Sequence, residues 1–286
     1  MELVKTQAAD GIRLDGALQS PAGDGGPADL DAAIFLSGVG GNFYSSSLIE
    51  HLANRFTRLG VTTLRVNTRG HDGISTASTP SGGQLLGAAY EIVDECRLDI
   101  SAWIKFLCEN NCSRIALIGH SLGAIKAIYS QAYEPHEAIR HVIAISPPRL
   151  SHQHFRQGPE ADEFLDSLHT AEQLTAAGHS QKLFQATFPF PFAVSAATYL
   201  DKYGPPSRYN FLRFMNRIAC PVFFIFGSDE LDNGGAAFAG LAADIAQSSG
   251  SGPPPRCAVI PDANHLYVGC HEPLAEGVVA YLESTK

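Results

Sequence analysis

Short runs of uninterrupted apolar residues alternate along this chain with longer stretches in which apolar positions recur every three or four residues. Runs of the first kind predict strands buried on both faces, and the second kind predicts amphipathic helices. The first kind comprises AAIFLS (Ala32–Ser37), VTTLRV (Val61–Val66), RIALIG (114–119), HVIAIS (His141–Ser146), PVFFIF (Pro221–Phe226) and CAVIP (257–261). Helices are predicted over 45–59, where a serine N-cap opens the run and Gly60 closes it, and over about 88–109, 121–132, 235–247 and about 270–284. Asp10-Gly11 is a hairpin signal between two strand-like pieces at 2–8 and 12–18. Ser20–Gly26, Asn67–Gly83 and the low-complexity SSGSGPPPR (248–256) read as loops.

Strands that alternate with helices, each strand apolar throughout, predict an α/β protein with a mostly parallel sheet covered on both faces. The alternation stops at 149–217, where helix-like pieces (161–174 and 180–188) precede a Pro- and aromatic-rich stretch. The expected organisation is a catalytic core over 1–148 and 218–286 with an inserted helical cap over 149–217.

Composition narrows the function. Of 286 residues 45% are hydrophobic and 17% charged, and the net charge is −9 with no basic cluster. That argues against nucleic acid or an anionic membrane surface as partner. No apolar run approaches the ~18 residues of a membrane span, and MELVKTQAAD lacks the apolar segment of a secretory signal. The six cysteines are then read as reduced thiols and the location as cytoplasmic. Cys108 and Cys112 share a helical face without further ligands nearby, and His152 and His154 lie in a polar stretch, so no metal is expected, and no cofactor.

The chemistry is concentrated where Gly119-His120-Ser121-Leu122-Gly123 joins a strand to a helix. This is G-x-S-x-G, in which a sharp strand-to-helix corner presents the serine at the carboxyl edge of the sheet. Glycines on either side remove Cβ atoms that would collide, and the helix N-terminus with the Leu122 amide favours negative charge there. A serine nucleophile needs a base, and the base an orienting acid. Gly227-Ser228-Asp229-Glu230 follows the PVFFIF strand and Asp262-Ala263-Asn264-His265 follows CAVIP, both at the ends of strands where open α/β sheets bind ligands. His265 is the expected base. His271 is a weaker candidate, since it starts the last helix.

The GHSLG elbow, the FGSDE and IPDANH loops and VNTRGHDGIS together resemble the α/β-hydrolase superfamily over nearly the whole length. The combination with GGNFY is loosely similar to a narrower group that includes fungal siderophore esterases. The resemblance implies an α/β-hydrolase fold with an eight-stranded, mostly parallel sheet, and a triad of Ser121, His265 and an acid. Many members place the acid three residues after the glycine, here Glu230. A shorter loop places it at Asp229, which is the preferred candidate, with Asp232 as a third. The oxyanion hole would use the backbone N–H groups of Leu122 and Val39, with Gly40 next to Val39 in rank. Ser37 stands where the family commonly has histidine.

These residues point to a serine hydrolase acting on a small-molecule ester, lactone or thioester through an acyl-enzyme on Ser121. An acyltransferase would use the same residues, and a non-catalytic binding protein of this fold is the third class. Ser121 excludes a haloalkane-type mechanism, which needs a carboxylate nucleophile. Lys126 snorkels at the edge of the elbow helix, pairs with Glu91 or Asp94 on the preceding long helix, or, as the third reading, contacts substrate directly. Arg69, His71 and Asp72 are read first as hydrogen bonders that brace a loop. Phe184, Phe188, Phe190, Phe192, Tyr199 and Tyr203 form either an apolar pocket or the core of the cap.

Overall fold

The computed structural model describes residues 1–21, 27–79, 82–248 and 253–285. Parts of three expected loops (residues 22–26, 80–81 and 249–252) lie outside the described residues. In chain order the first half contains β1 (Glu2–Gln7), β2 (Arg13–Gln19), β3 (Ala32–Leu36), α1 (Ser47–Arg58), β4 (Thr62–Val66), β5 (Ser75–Thr79), β6 (Gly82–Leu86), α2 (Cys96–Glu109), β7 (Ile115–His120), α3 (Leu122–Tyr133) and β8 (Ile139–Ile145). The second half contains α4 (His152–Phe155), α5 (Ala161–Ala176), β9 (Leu183–Ala186), β10 (Phe192–Ser195), α6 (Ala196–Tyr203), β11 (Val222–Gly227), α7 (Ser228–Asn233), α8 (Leu241–Gln247), β12 (Arg256–Ile260) and α9 (His271–Glu283).

The uninterrupted apolar runs become the centre of an eight-stranded sheet ordered β1-β2-β4-β3-β7-β8-β11-β12. Every residue of β3, β7 and β11 is buried. All pairings from β4 to β12 are parallel, and β2 alone runs against the rest, pairing antiparallel with both β1 and β4. Successive residues of a strand point to opposite faces. Ala32, Ile34 and Leu36 thus enter the core shared with α2 and α3, while Ala33 and Phe35 enter the one shared with α1 and α9. Burial on both faces is the reason these strands show no alternation in sequence. Helix α1 begins as expected, with the Ser46 side chain accepting from Ile49 N–H at 3.2 Å. Among the described residues no helix is long and apolar enough to cross a membrane.

The stretch between β8 and β11 is not wholly helical: α4, α5 and α6 accompany an antiparallel β9–β10 hairpin. His152 and His154, expected in a loop, lie in the short helix α4. A larger departure concerns 88–109. Residues 75–79 and 82–86 pair as a hairpin, and helix α2 begins only at Cys96 after a 3-10 turn at Val93–Glu95. Backbone bonds from Gly87, Ala88 and Ala89 to the carbonyls of Arg69, Asp72 and Gly73, at 2.9–3.0 Å, hold the chain in a turn where a helix was expected. Gly87, at φ +90°, permits this close pass, since a Cβ there would stand 2.9 Å from Gly73 O. The expected helix over 235–247 is likewise divided, because Gly240 at φ +68° interrupts it and α8 starts at Leu241.

Glu91 therefore sits in a turn, buried beneath Gly70, where a Cβ would come within 2.1 Å of its carboxylate. Lys126 Nζ lies 2.5 Å from Glu91 Oε1 and donates to Thr68 Oγ1 at 3.0 Å. Lys202 of α6 approaches the other carboxylate oxygen at 3.6 Å. Burial opposes ionisation of Glu91, but the two ammonium groups outweigh it and hold its carboxyl below the ordinary range. Asp94 is engaged elsewhere, by Arg97 and by the Tyr129 hydroxyl at 2.6 Å. Glu91→Gln leaves two buried ammonium groups without their counter-charge and is expected to destabilise the protein by about 3–5 kcal/mol in urea unfolding. Lys126→Met is expected to cost less, because Lys202 still faces the carboxylate; the opposite order would contradict this account of the cluster.

Arg69 is also structural. Its side chain, 1% exposed, binds both oxygens of Asp99 and reaches Asp10 and Glu95 at 2.8 and 2.9 Å. It ties the loop after β4 to the start of the sheet and to α2.

Candidate active site

Ser121 stands at the corner between β7 and α3 with φ +56° and ψ −124°, a conformation that costs energy for any L-residue other than glycine. Close packing imposes it. A Cβ on Gly119 would meet Gly123 O at 2.2 Å, and one on Gly123 would meet Leu36 O at 2.4 Å, so neither position admits a larger residue. The serine N–H is held by Ile145 O at 2.9 Å. Its side chain is thus fixed at the N-terminus of α3, where the first amides have no intrahelical acceptors.

His265 follows β12. Its Nε2 is 3.0 Å from Ser121 Oγ and its Nδ1 is 2.8 Å from Glu230 Oε2. The acid in contact is therefore Glu230, and the preference for Asp229 is corrected by the geometry. The chain enters helix α7 immediately after Gly227, and consecutive helical residues differ in direction by about 100°. Asp229 falls on the outer side, exposed, and accepts from Asn233 Nδ2 at 2.7 Å. Asp232 is also exposed. Glu230 turns inward and is 4% exposed. Its Oε1 accepts from Gly227 N–H at 2.7 Å and from the Ser146 hydroxyl. Ser146 Oγ in turn lies 2.9 Å from Tyr267 Oη, which donates to Ile225 O. Burial, reinforced by Glu230, pushes the Tyr267 hydroxyl up, so it stays protonated and serves as a donor. The loops meet closely: a Cβ on Gly227 would be 2.1 Å from Ala263 O.

His120, inside the elbow, was not singled out by sequence. Its Nε2 donates to the His265 carbonyl at 2.8 Å, and the two rings are 5.0 Å apart. Burial, with the neighbouring His265 ring adding to it, depresses the His120 imidazole to about 3 from an ordinary value near 6.5. Between those pH values the unfolded chain binds a proton that the folded chain refuses, so stability falls as pH falls. Urea unfolding of wild type and His120→Gln from pH 7 to 4.5 is expected to show the wild type losing stability faster, by about 1.4 kcal/mol per pH unit below pH 6. Parallel curves would show that His120 titrates normally in the folded protein.

The loop after β3 approaches from the other side. Ser37 Oγ donates to Asn42 O at 3.1 Å and closes the turn Gly38–Gly41. Asn42 Nδ2 donates to Asp72 at 2.7 Å, and Asp72 also holds His71 at 2.8 Å, which ties this loop to the one after β4. His71 and Asp72 thus brace the backbone. Val39 lines the cavity beside Ser121, Leu122 and His265, while Gly40 lines a neighbouring groove.

That cavity is about 230 Å³, and its wall includes Leu150, Phe155, Phe190 and Tyr203 from the stretch between β8 and β11 and Phe238 from the loop before α8. The six aromatics divide between the two expected roles. Phe188 packs on Phe155 and Phe164 at 4.8 and 5.2 Å and Phe184 on Tyr199 at 5.5 Å, forming the core of the stretch, while Phe192 lines the groove beside Gly40. Phe190, half exposed, and Tyr203 face the cavity. Lys202, one turn of α6 from Tyr199, also lines it with its side chain 1% exposed, and no sequence signal distinguished this lysine. Burial lowers its ammonium from the ordinary range, Glu91 opposes the shift, and Lys126 adds to it. Among the described residues no three His, Cys, Asp or Glu side chains are grouped as a metal would need.

The chain belongs to the alpha/beta hydrolase family, whose model matches residues 33–277. Several solved structures share its fold. Est1E from Butyrivibrio proteoclasticus with bound ferulic acid is 18% identical, with a TM-score of 0.67 over 99% of each chain. The alpha/beta hydrolase GrgF from Penicillium sp. sh18 is 15% identical, with a TM-score of 0.70 over 99% of this chain and 98% of that one. The esterase Pf2001 from Pyrococcus furiosus is 19% identical, with a TM-score of 0.60 over 99% of this chain and 91% of that one. No curated protein matches the chain in sequence.

Proposed function

We propose that the chain is a serine hydrolase that cleaves a carboxylic ester, lactone or thioester through an acyl-enzyme on Ser121. The observation that carries this reading is the continuous contact Glu230–His265–Ser121, at 2.8 and 3.0 Å, beside a cavity that Val39 and Leu122 also line. His265 Nε2 takes the Ser121 proton as Oγ attacks the carbonyl carbon. The oxyanion is received by the Val39 and Leu122 N–H groups, the second at the positive end of α3. Collapse of the adduct expels the alcohol or thiol, which takes its proton from His265. Water, activated by the same imidazole, then releases the acid and restores Ser121. Glu230 holds the imidazole with Nδ1 protonated, so that Nε2 is free to accept.

Residues 149–217 act as a cap that covers the serine with the apolar side chains of Leu150, Phe155, Phe190 and Tyr203. The esterases among the similar folds agree with an ester substrate. The direct test is reaction with a fluorophosphonate together with a series of 4-nitrophenyl esters of increasing acyl length. Labelling that maps to Ser121 and turnover of short and medium esters are expected; absence of both would refute the reading.

A further inference from the structure

Apart from Ser121, His265 and the Tyr203 hydroxyl, the described side chains that line the cavity are apolar except for Lys202, and this lysine lacks a counter-charge of its own. Among the described residues Lys202 Nζ meets Glu91 Oε2 at 3.6 Å and Ala88 O at 3.4 Å, both long for an ammonium. Glu91 is already claimed by Lys126 at 2.5 Å. Two buried ammonium groups thus share one carboxylate, and the side chain of Lys202, which carries one of them, forms part of the cavity wall. The acid next to it in sequence, Asp201, is occupied by Arg208 at 2.7 Å, the Tyr209 hydroxyl at 2.8 Å and the Val93 N–H at 3.0 Å. A buried charge without a full partner is costly, and a ligand that supplies the partner recovers that cost on binding. In a pocket whose other walls are apolar, a single polar group of this kind also sets the orientation of the ligand.

We propose that Lys202 is a specificity-determining residue and that the substrate is an ester bearing a carboxylate, which enters the cavity and pairs with the Lys202 ammonium. The proposal rests on the hydrolase reading above and names the substrate class for that site. Placing the lysine on α6 rather than on the core makes the cap the element that selects the anion.

Two pairs of near-isosteric esters test it, each measured above its uncatalysed rate. In the first, 4-nitrophenyl hydrogen succinate is compared with 4-nitrophenyl 4-oxopentanoate, which places the carboxylate or its ketone counterpart in the acyl group. In the second, 4-acetoxybenzoate is compared with 4-acetoxyacetophenone, which places it in the leaving group. The wild type is expected to favour the carboxylate member of at least one pair by tenfold or more in kcat/KM, and Lys202→Met is expected to reduce that ratio at least tenfold. A smaller wild-type preference in both pairs, or a ratio unchanged in Lys202→Met, overturns the proposal. Because the substitution could impair folding, free benzoate and benzamide are compared as inhibitors of wild-type turnover of 4-nitrophenyl butyrate. Benzoate is expected to bind at least tenfold more tightly, and equal inhibition overturns the proposal without any variant. Turnover of neutral esters with no anion preference removes this inference alone, whereas no turnover of any ester removes the hydrolase reading with it.

Discussion

Ser121→Ala is expected to lower kcat on a 4-nitrophenyl ester by three orders of magnitude or more, with little change in melting temperature. In the proposed mechanism the hydroxyl forms the bond to the carbonyl carbon, so its removal would leave transition-state binding by the amides and the cavity. The fold should not suffer. The strained backbone at position 121 is imposed by Gly119, Gly123 and the Ile145 bond, none of which the substitution touches. Alanine has no side-chain hydrogen bond to replace except the one to His265. Retention of more than a tenth of wild-type turnover, in a protein with an unchanged thermal melt, would rule out the acyl-enzyme mechanism.

Glu230→Gln should cost about four orders of magnitude in kcat while Asp229→Asn stays within a few-fold of wild type. The carboxylate oxygen facing His265 accepts, which keeps the proton on Nδ1 and the lone pair on Nε2. A glutamine that keeps its oxygen toward Gly227 N–H and Ser146 must turn its amide NH2 toward Nδ1. The imidazole then adopts the other tautomer, with Nε2 protonated and unable to take the serine proton. Substrate binding should change little, so the loss should lie in kcat rather than KM. Steady-state kinetics on both variants decide the matter, and a larger loss for Asp229→Asn would return the role to Asp229.

That one-residue choice shows where sequence stops being informative. The strands were legible because a strand covered on both faces must be apolar throughout, and β3, β7 and β11 are. The elbow was legible because Gly119 and Gly123 are required by contacts within 2.4 Å. The acid was not, because Asp229 and Glu230 are chemically equivalent and only the immediate start of α7 decides which of them faces inward. The turn before α2 was hidden because its shape comes from bonds to residues 69–73, well back in the chain, while its local composition suits a helix. The burial of Lys202 was hidden for a related reason, since the carboxylate it approaches, Glu91, lies about a hundred residues earlier in the chain. For Lys126 the pairing with Glu91 was one of the readings the sequence offered beside snorkelling at the helix edge, and the structure shows the pair.

The position of β12 has a consequence for how the protein would fail. It is an edge strand, held in the sheet by β11 alone, and of its five residues only Ile260 is buried. The loop that carries His265 begins where this strand ends. Release of this margin separates the imidazole from Ser121 while the seven remaining strands stay paired. Segments with few buried contacts open at lower free energy than the whole chain. Heat or urea should therefore inactivate the protein before it melts, and the lag between lost turnover and lost circular dichroism would measure how loosely the last strand is held.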